Sequence, residues 1–217
     1  MKRPGPLLTL LAGLLLGLFL LTLNATTGTR NTASTYKERS PVPTPAGSVA
    51  SPATTPTPSR TQIADASYAG RTDDDSSSVA VSIRGGRAIA YFCDGHRKEA
   101  WLKGDVGDDG SMRLTGKQGA ELNGRLQEGR RIRGTVNLDG GYYAFTADKA
   151  VKPSGLYRAT ATVRGAKIDG GWIVLSGGRQ VGILSRDGKA GAAPRIDPAT
   201  GAVTVDGERL TARPVTP

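Results

Sequence analysis

Two reactive residue types are almost missing from this 217-residue chain, which has one cysteine, Cys93, and one histidine, His96. A zinc cage of cysteines and histidines from this chain alone is therefore excluded, and any disulfide would have to join two molecules. Gly-x-Ser-x-Gly, a phosphate-binding loop and His-Glu-x-x-His are also absent, which removes the common hydrolase, nucleotide and metalloprotease signatures. No window has the periodicity of an amphipathic helix, and aromatics are only 5% of the chain. Without a basic helix or an aromatic-rich sheet face, nucleic acid is not an expected partner. Proline is missing from everything between Pro58 and Pro153, as expected where most backbone amides donate to a sheet ladder.

What is present begins with a targeting segment. Lys2 and Arg3 precede seventeen uncharged residues, Leu7 to Leu23, about the lower limit for a membrane-spanning helix and slightly longer than the apolar part of a cleaved signal. Leu23-Asn24-Ala25 offers no small-x-small cleavage site, so an uncleaved signal anchor is expected, with secretion after cleavage as the alternative. Lys2 and Arg3 lie closer to the apolar run than Arg30, Lys37 and Arg39, which orients residues 1–6 to the cytoplasm and the rest to the extracytoplasmic side. Six prolines fall in the twenty residues from Ser40 to Ser59, a composition too poor in large apolar groups to fold. Residues 24–66 read as a disordered Pro/Thr/Ser-rich tether reaching up to about 130 Å if extended.

From residue 67 to 213 a single extracytoplasmic β domain is expected. Period-two alternation marks strands at Ser78–Ile83, Ala88–Cys93, Ala120–Leu126, Arg131–Leu138 and Tyr142–Ala147. A second set follows at Gly155–Val163, Gly170–Leu175 and Arg179–Ser185, after a break at Pro153. Gly85-Gly86, Asp109-Gly110, Gly140-Gly141 and Gly177-Gly178 supply hairpin turns. An apolar-x-Gly repeat ends on Gly104, Gly116, Gly124 and Gly134, glycines that share parity with the apolar face and let a sheet coil. The expected fold is all-β, an antiparallel meander forming a small barrel or barrel-like sandwich.

The candidate chemistry is sparse. Asp105 to Gly110 begins like a calcium loop but has Gly107 at the third position and Gly116 where the closing glutamate belongs, so it reads as a turn. Asp73-Asp74-Asp75 reads as a solvated turn, and no metal site or cofactor is expected. Cys93 and His96 form a nucleophile–base pair only if they meet. Parity sets Cys93 with Ile89 and Tyr91 on the face that normally meets a core, while His96, Arg97 and Lys98 form an exposed arm beyond Asp94-Gly95. The net charge is +10, of which +6 falls after residue 66. His96, Arg97 and Lys98 together with Arg130, Arg131 and Arg133 make the candidate patch for an anionic envelope polymer or protein.

The stretches YAGRTDDDSSSVAVSIRGGRAIAYFCDG, EAWLKG, GLYRA and GGWIVLSGGRQVG resemble an uncharacterised family of exported or membrane-anchored β-rich actinobacterial domains, over about Tyr68 to Gly188. The resemblance implies an envelope domain behind a Pro/Thr-rich linker and transfers no activity or site residue. The function expected is a tethered, non-catalytic binding module of the cell envelope. Three alternatives stay open: a thiol-dependent envelope enzyme or redox protein using Cys93, a barrel carrying a small ligand, and a homo-oligomer joined through Cys93.

Overall fold

The structure, a computed structural model, describes residues 63–217. All described residues belong to one compact unit, Thr55–Pro217. The expected cytoplasmic segment, the anchor at 7–23 and all but the last residues of the tether lie outside them. No helix among the described residues is long and apolar enough to cross a membrane.

The fold is all-β. Eight antiparallel strands form a closed meander barrel: β1 (Ala66–Thr72), β2 (Ser78–Arg84), β3 (Arg87–Cys93), β4 (Glu99–Asp105), β5 (Ser111–Gly116), β6 (Glu121–Gln127), β7 (Arg131–Leu138) and β8 (Gly141–Ala150). The barrel closes where β1 pairs with β8, Ser67 opposite Ala150 through Thr72 opposite Phe145. Every strand sends apolar side chains inward, among them Tyr68, Val81, Phe92, Leu102, Leu114, Leu122, Ile132 and Phe145, so the interior is a packed core. Tyr68 closes one rim by donating its hydroxyl to the Gly129 carbonyl at 3.1 Å. Tyr143 fills the other, its ring 4.8 Å from that of Phe92.

The inward glycines act as the alternation requires. A Cβ on Gly134 would lie 2.3 Å from the Asn123 carbonyl oxygen, and one on Gly104 would lie 2.4 Å from that of Arg113. The neighbouring backbone occupies the space a side chain would need, which is how a small sheet coils tightly enough to close. One expected turn shifts by a residue: Asp139 and Gly140 take the positive φ, 51° and 77°, and Gly141 opens β8. Aspartate tolerates the left-handed region, so Asp-Gly serves as well as Gly-Gly.

Closure leaves the barrel no free edge, and the strands after Pro153 build a sheet of their own. It contains β9 (Gly155–Val163), β10 (Ala166–Val174), β11 (Gln180–Arg186), β12 (Lys189–Ala192) and β15 (Arg213–Pro214), ordered β12-β11-β10-β9-β15. The hairpin of β13 (Ala202–Val205) and β14 (Glu208–Thr211) supplies Val203, Val205 and Leu210 to a core with Tyr157, Trp172 and Ile196. The opposite face of the sheet presses Leu156, Ile173 and Ile183 against Ala69, Ala80, Tyr91 and Cys93 on the outside of the barrel. Strand β3 is therefore buried on both faces. Its barrel-core side carries Ala88, Ala90 and Phe92, and Cys93 lies with Tyr91 on the other side, buried in a core as expected, that core being the seam with the second sheet. A second layer covers what would have been a solvent face.

Candidate functional site

The sequence-predicted residues do not form one surface. In a meander the turns alternate between rims, so the β3–β4 turn bearing His96, Arg97 and Lys98 lies at the opposite end of the barrel from the β6–β7 turn bearing Arg130. The Asp94 carboxylate organises the first turn, its Oδ1 accepting from the backbone N–H of His96 at 2.7 Å, Arg97 at 2.9 Å and Lys98 at 3.0 Å. Burial pushes the Asp94 carboxyl up, but the three N–H donors outweigh it and hold it below the usual range. The three side chains beyond are exposed, and Lys98 Nζ reaches the Tyr143 hydroxyl at 3.3 Å.

At the other rim Arg130 pairs with Glu128, and Arg131 Nε meets Asp148 at 2.8 Å. Arg133 stands opposite Arg125 in the β6–β7 ladder, and Arg125 is itself paired with Asp109 at 2.8 Å. Two of the three predicted arginines are thus matched by acids. Exposed pairs of this kind contribute little to stability.

Cys93 and His96 diverge: the thiol is fully buried in the seam and the imidazole is exposed in the turn. Burial is the main cause that pushes the Cys93 thiol up to about 12. It is a protonated thiol at neutral pH.

A different constellation lies along the seam, in an open groove of about 550 Å³ whose lining includes Glu99, Trp101, Lys103, Lys117, Arg158 and Asp169. Strand β4 sends Glu99, Trp101 and Lys103 outward by its period of two, and β9 and β10 bring Arg158 and Asp169 to meet them. Arg158 grips Asp169 through both carboxylate oxygens, Nε to Oδ1 at 2.9 Å and Nη2 to Oδ2 at 2.6 Å. The Arg158 guanidinium also lies over the Trp101 ring, 4.5 Å from its centroid, and the Tyr91 ring packs on Trp101 at 4.3 Å. Tyr91 donates its hydroxyl to Glu99 Oε2 at 2.7 Å. Burial, with Asp169 nearby, pushes the Glu99 carboxyl above its ordinary range, although the Tyr91 hydrogen bond and Arg158 pull the other way.

Gly171 of β10 makes this packing possible, since a Cβ there would lie 2.6 Å from Cζ of Tyr91 and 2.8 Å from Cζ2 of Trp101. None of Tyr91, Glu99, Trp101, Arg158 and Asp169 stood out as a site residue in the sequence. The available signals were weak: an apolar stretch in β3 that reads as buried on both sides, and a Gly-Gly pair inside a strand rather than between strands.

Comparison with known proteins gives no match: no family model fits the chain, and no curated protein or solved structure matches it.

Proposed function

We propose that the chain is a membrane-tethered, non-catalytic binding module of the cell envelope, its β domain on the extracytoplasmic side and its ligand site the groove along the seam. The observation that carries this reading is the convergence of an aromatic ring, two carboxylates and several cationic heads on one open groove. Mixed aromatic and polar linings of this size are where small ligands and chain segments bind. The apolar run from Leu7 to Leu23 and the proline-rich stretch after it supply the tether.

Three observations weigh against the other readings. The barrel interior is filled by side chains from all eight strands, leaving a carried ligand little room. Cys93 is fully buried with its thiol pushed up to about 12, which deprives a redox or thiol enzyme of a working thiolate. Both groove carboxylates are also engaged, Glu99 by Tyr91 and Asp169 by Arg158, which suits binding better than proton transfer.

The test places a photo-crosslinking residue at Lys117, on the groove, or at Thr135, exposed on β7 away from the seam, in the full chain in intact cells. Protease added outside the cells should remove the β domain, and irradiation should attach envelope material at position 117 and not at 135. A domain protected from external protease, or equal yields at the two positions, overturns the proposal.

A further inference from the structure

We infer that the seam groove takes a neutral saccharide chain, an inference that rests on the reading of the groove as the ligand site. The lining contains three cationic heads, Lys103, Lys117 and Arg158, against the carboxylates Glu99 and Asp169. A polyanion would have to approach two carboxylates, one of them already costly to keep charged where it lies. A cation would meet three like charges, one of them stacked on the only tryptophan in the groove.

A ligand that both donates and accepts at every position avoids both conflicts, and the hydroxyls of a sugar do so. The protein leaves matching groups free. Tyr91 occupies Oε2 of Glu99, and Oε1 has no protein donor among the described residues. Asp169 occupies Nε and Nη2 of Arg158, and Nη1 donates to no described protein group. Trp101 is held by Tyr91 and Arg158, so its ring is fixed in the groove before any ligand arrives. Such preorganisation lowers the entropy cost of binding. A groove of about 550 Å³ is within the range of small-ligand sites, roughly 300 to 1,000 Å³.

The two tryptophans make the site directly readable. Trp101 lines the groove, whereas Trp172 is buried in the other layer and donates its Nε1 to the Pro194 carbonyl at 2.7 Å. The full chain, ¹⁵N-labelled in phosphocholine micelles, is titrated with chitohexaose, cellohexaose and maltohexaose. The expected result is a saturable movement of the Trp101 indole N–H signal with at least one of them, while the Trp172 signal stays in place. Glu99→Gln should weaken that binding about 10-fold or more, since it removes a charged acceptor, and Asp169→Asn should do so by releasing the two-oxygen clamp that orients Arg158.

No movement with any of the three oligosaccharides at millimolar concentration overturns the inference. So does equal movement of both indoles, or unchanged affinity in both variants. If a variant fails to fold, the indole pattern of the unaltered chain decides alone. Oligosaccharide binding without envelope crosslinking at position 117 would sink the envelope reading and leave the saccharide site standing. Crosslinking to a protein without oligosaccharide binding would do the reverse.

Discussion

At the scale of the residue, Ser78 and Cys93 stand opposite each other in the β2–β3 ladder, both fully buried beneath the second sheet, yet burial treats them differently. A thiol behaves as a small apolar group when it stays protonated, and burial keeps Cys93 in that form. A hydroxyl needs a partner, and Ser78 Oγ has none among the described residues. Ser78→Ala should therefore stabilise the protein by about 1 kcal/mol in urea unfolding, because it removes a desolvated donor with no hydrogen bond to lose. A loss of stability would show that an unseen partner satisfies it. For Cys93 the expected outcome is labelling by a thiol reagent only at the rate of domain opening, and rapid labelling of the native protein would contradict the seam geometry. Cys93-x-x-His96 was the most conspicuous motif of the sequence. The Asp94 cage turns the chain between the two, leaving one side chain in the seam and the other in solvent.

At the scale of the element, β10 couples the two layers through a residue with no side chain. Alanine at Gly171 would force the Tyr91 and Trp101 rings to move, and overpacking of this kind costs roughly 1 to 3 kcal/mol. Gly171→Ala should lower the melting temperature and shift the Trp101 emission. Gly191→Ala, on β12, has nothing within 4 Å of the new Cβ and should be close to neutral. Equal effects of the two would deny the seam its role. Where alternation alone decides a strand, the sequence is legible: β7 and β9 begin and end at the expected residues, Arg131–Leu138 and Gly155–Val163. Strand β10 begins at Ala166, four residues before the expected Gly170. The glycine pair looks like a boundary until the rings that need its space are known. The short β12, β14 and β15 bury too little of themselves to leave a pattern, and the alternation of β13, Val203 and Val205, spans only four residues. The groove was illegible because Glu99, Arg158 and Asp169 lie on three strands of two sheets. Their meeting depends on how the sheets stack, which no spacing along the chain encodes.

At the scale of the whole molecule, the described domain is a barrel and a sheet that share one buried seam, with Glu99 at its margin, hydrogen-bonded to a ring inside it. Burial holds the Glu99 carboxyl above its ordinary value of 4.5. A group with a raised pKa in the folded state binds protons more tightly there than in the unfolded chain. Its neutral form therefore favours folding. The contribution is complete below the unfolded value and is lost as the pH rises through the folded value. The acid-denaturation profile of the protein should accordingly carry an opposing component from Glu99: as pH rises above about 4.5, this site reduces stability while the paired aspartates Asp94 and Asp109, whose carboxyls are held low, have already gained theirs. Glu99→Gln keeps an acceptor for Tyr91 and removes the titration. Relative to the unaltered protein, its stability measured by urea unfolding should rise as the pH climbs above the ordinary value of 4.5 and differ by a constant amount well below it. Parallel profiles across the whole range would mean that the carboxylate is as well solvated in the folded protein as in the unfolded chain, and the seam would then have to be more open than the packing of Tyr91, Trp101 and Arg158 allows.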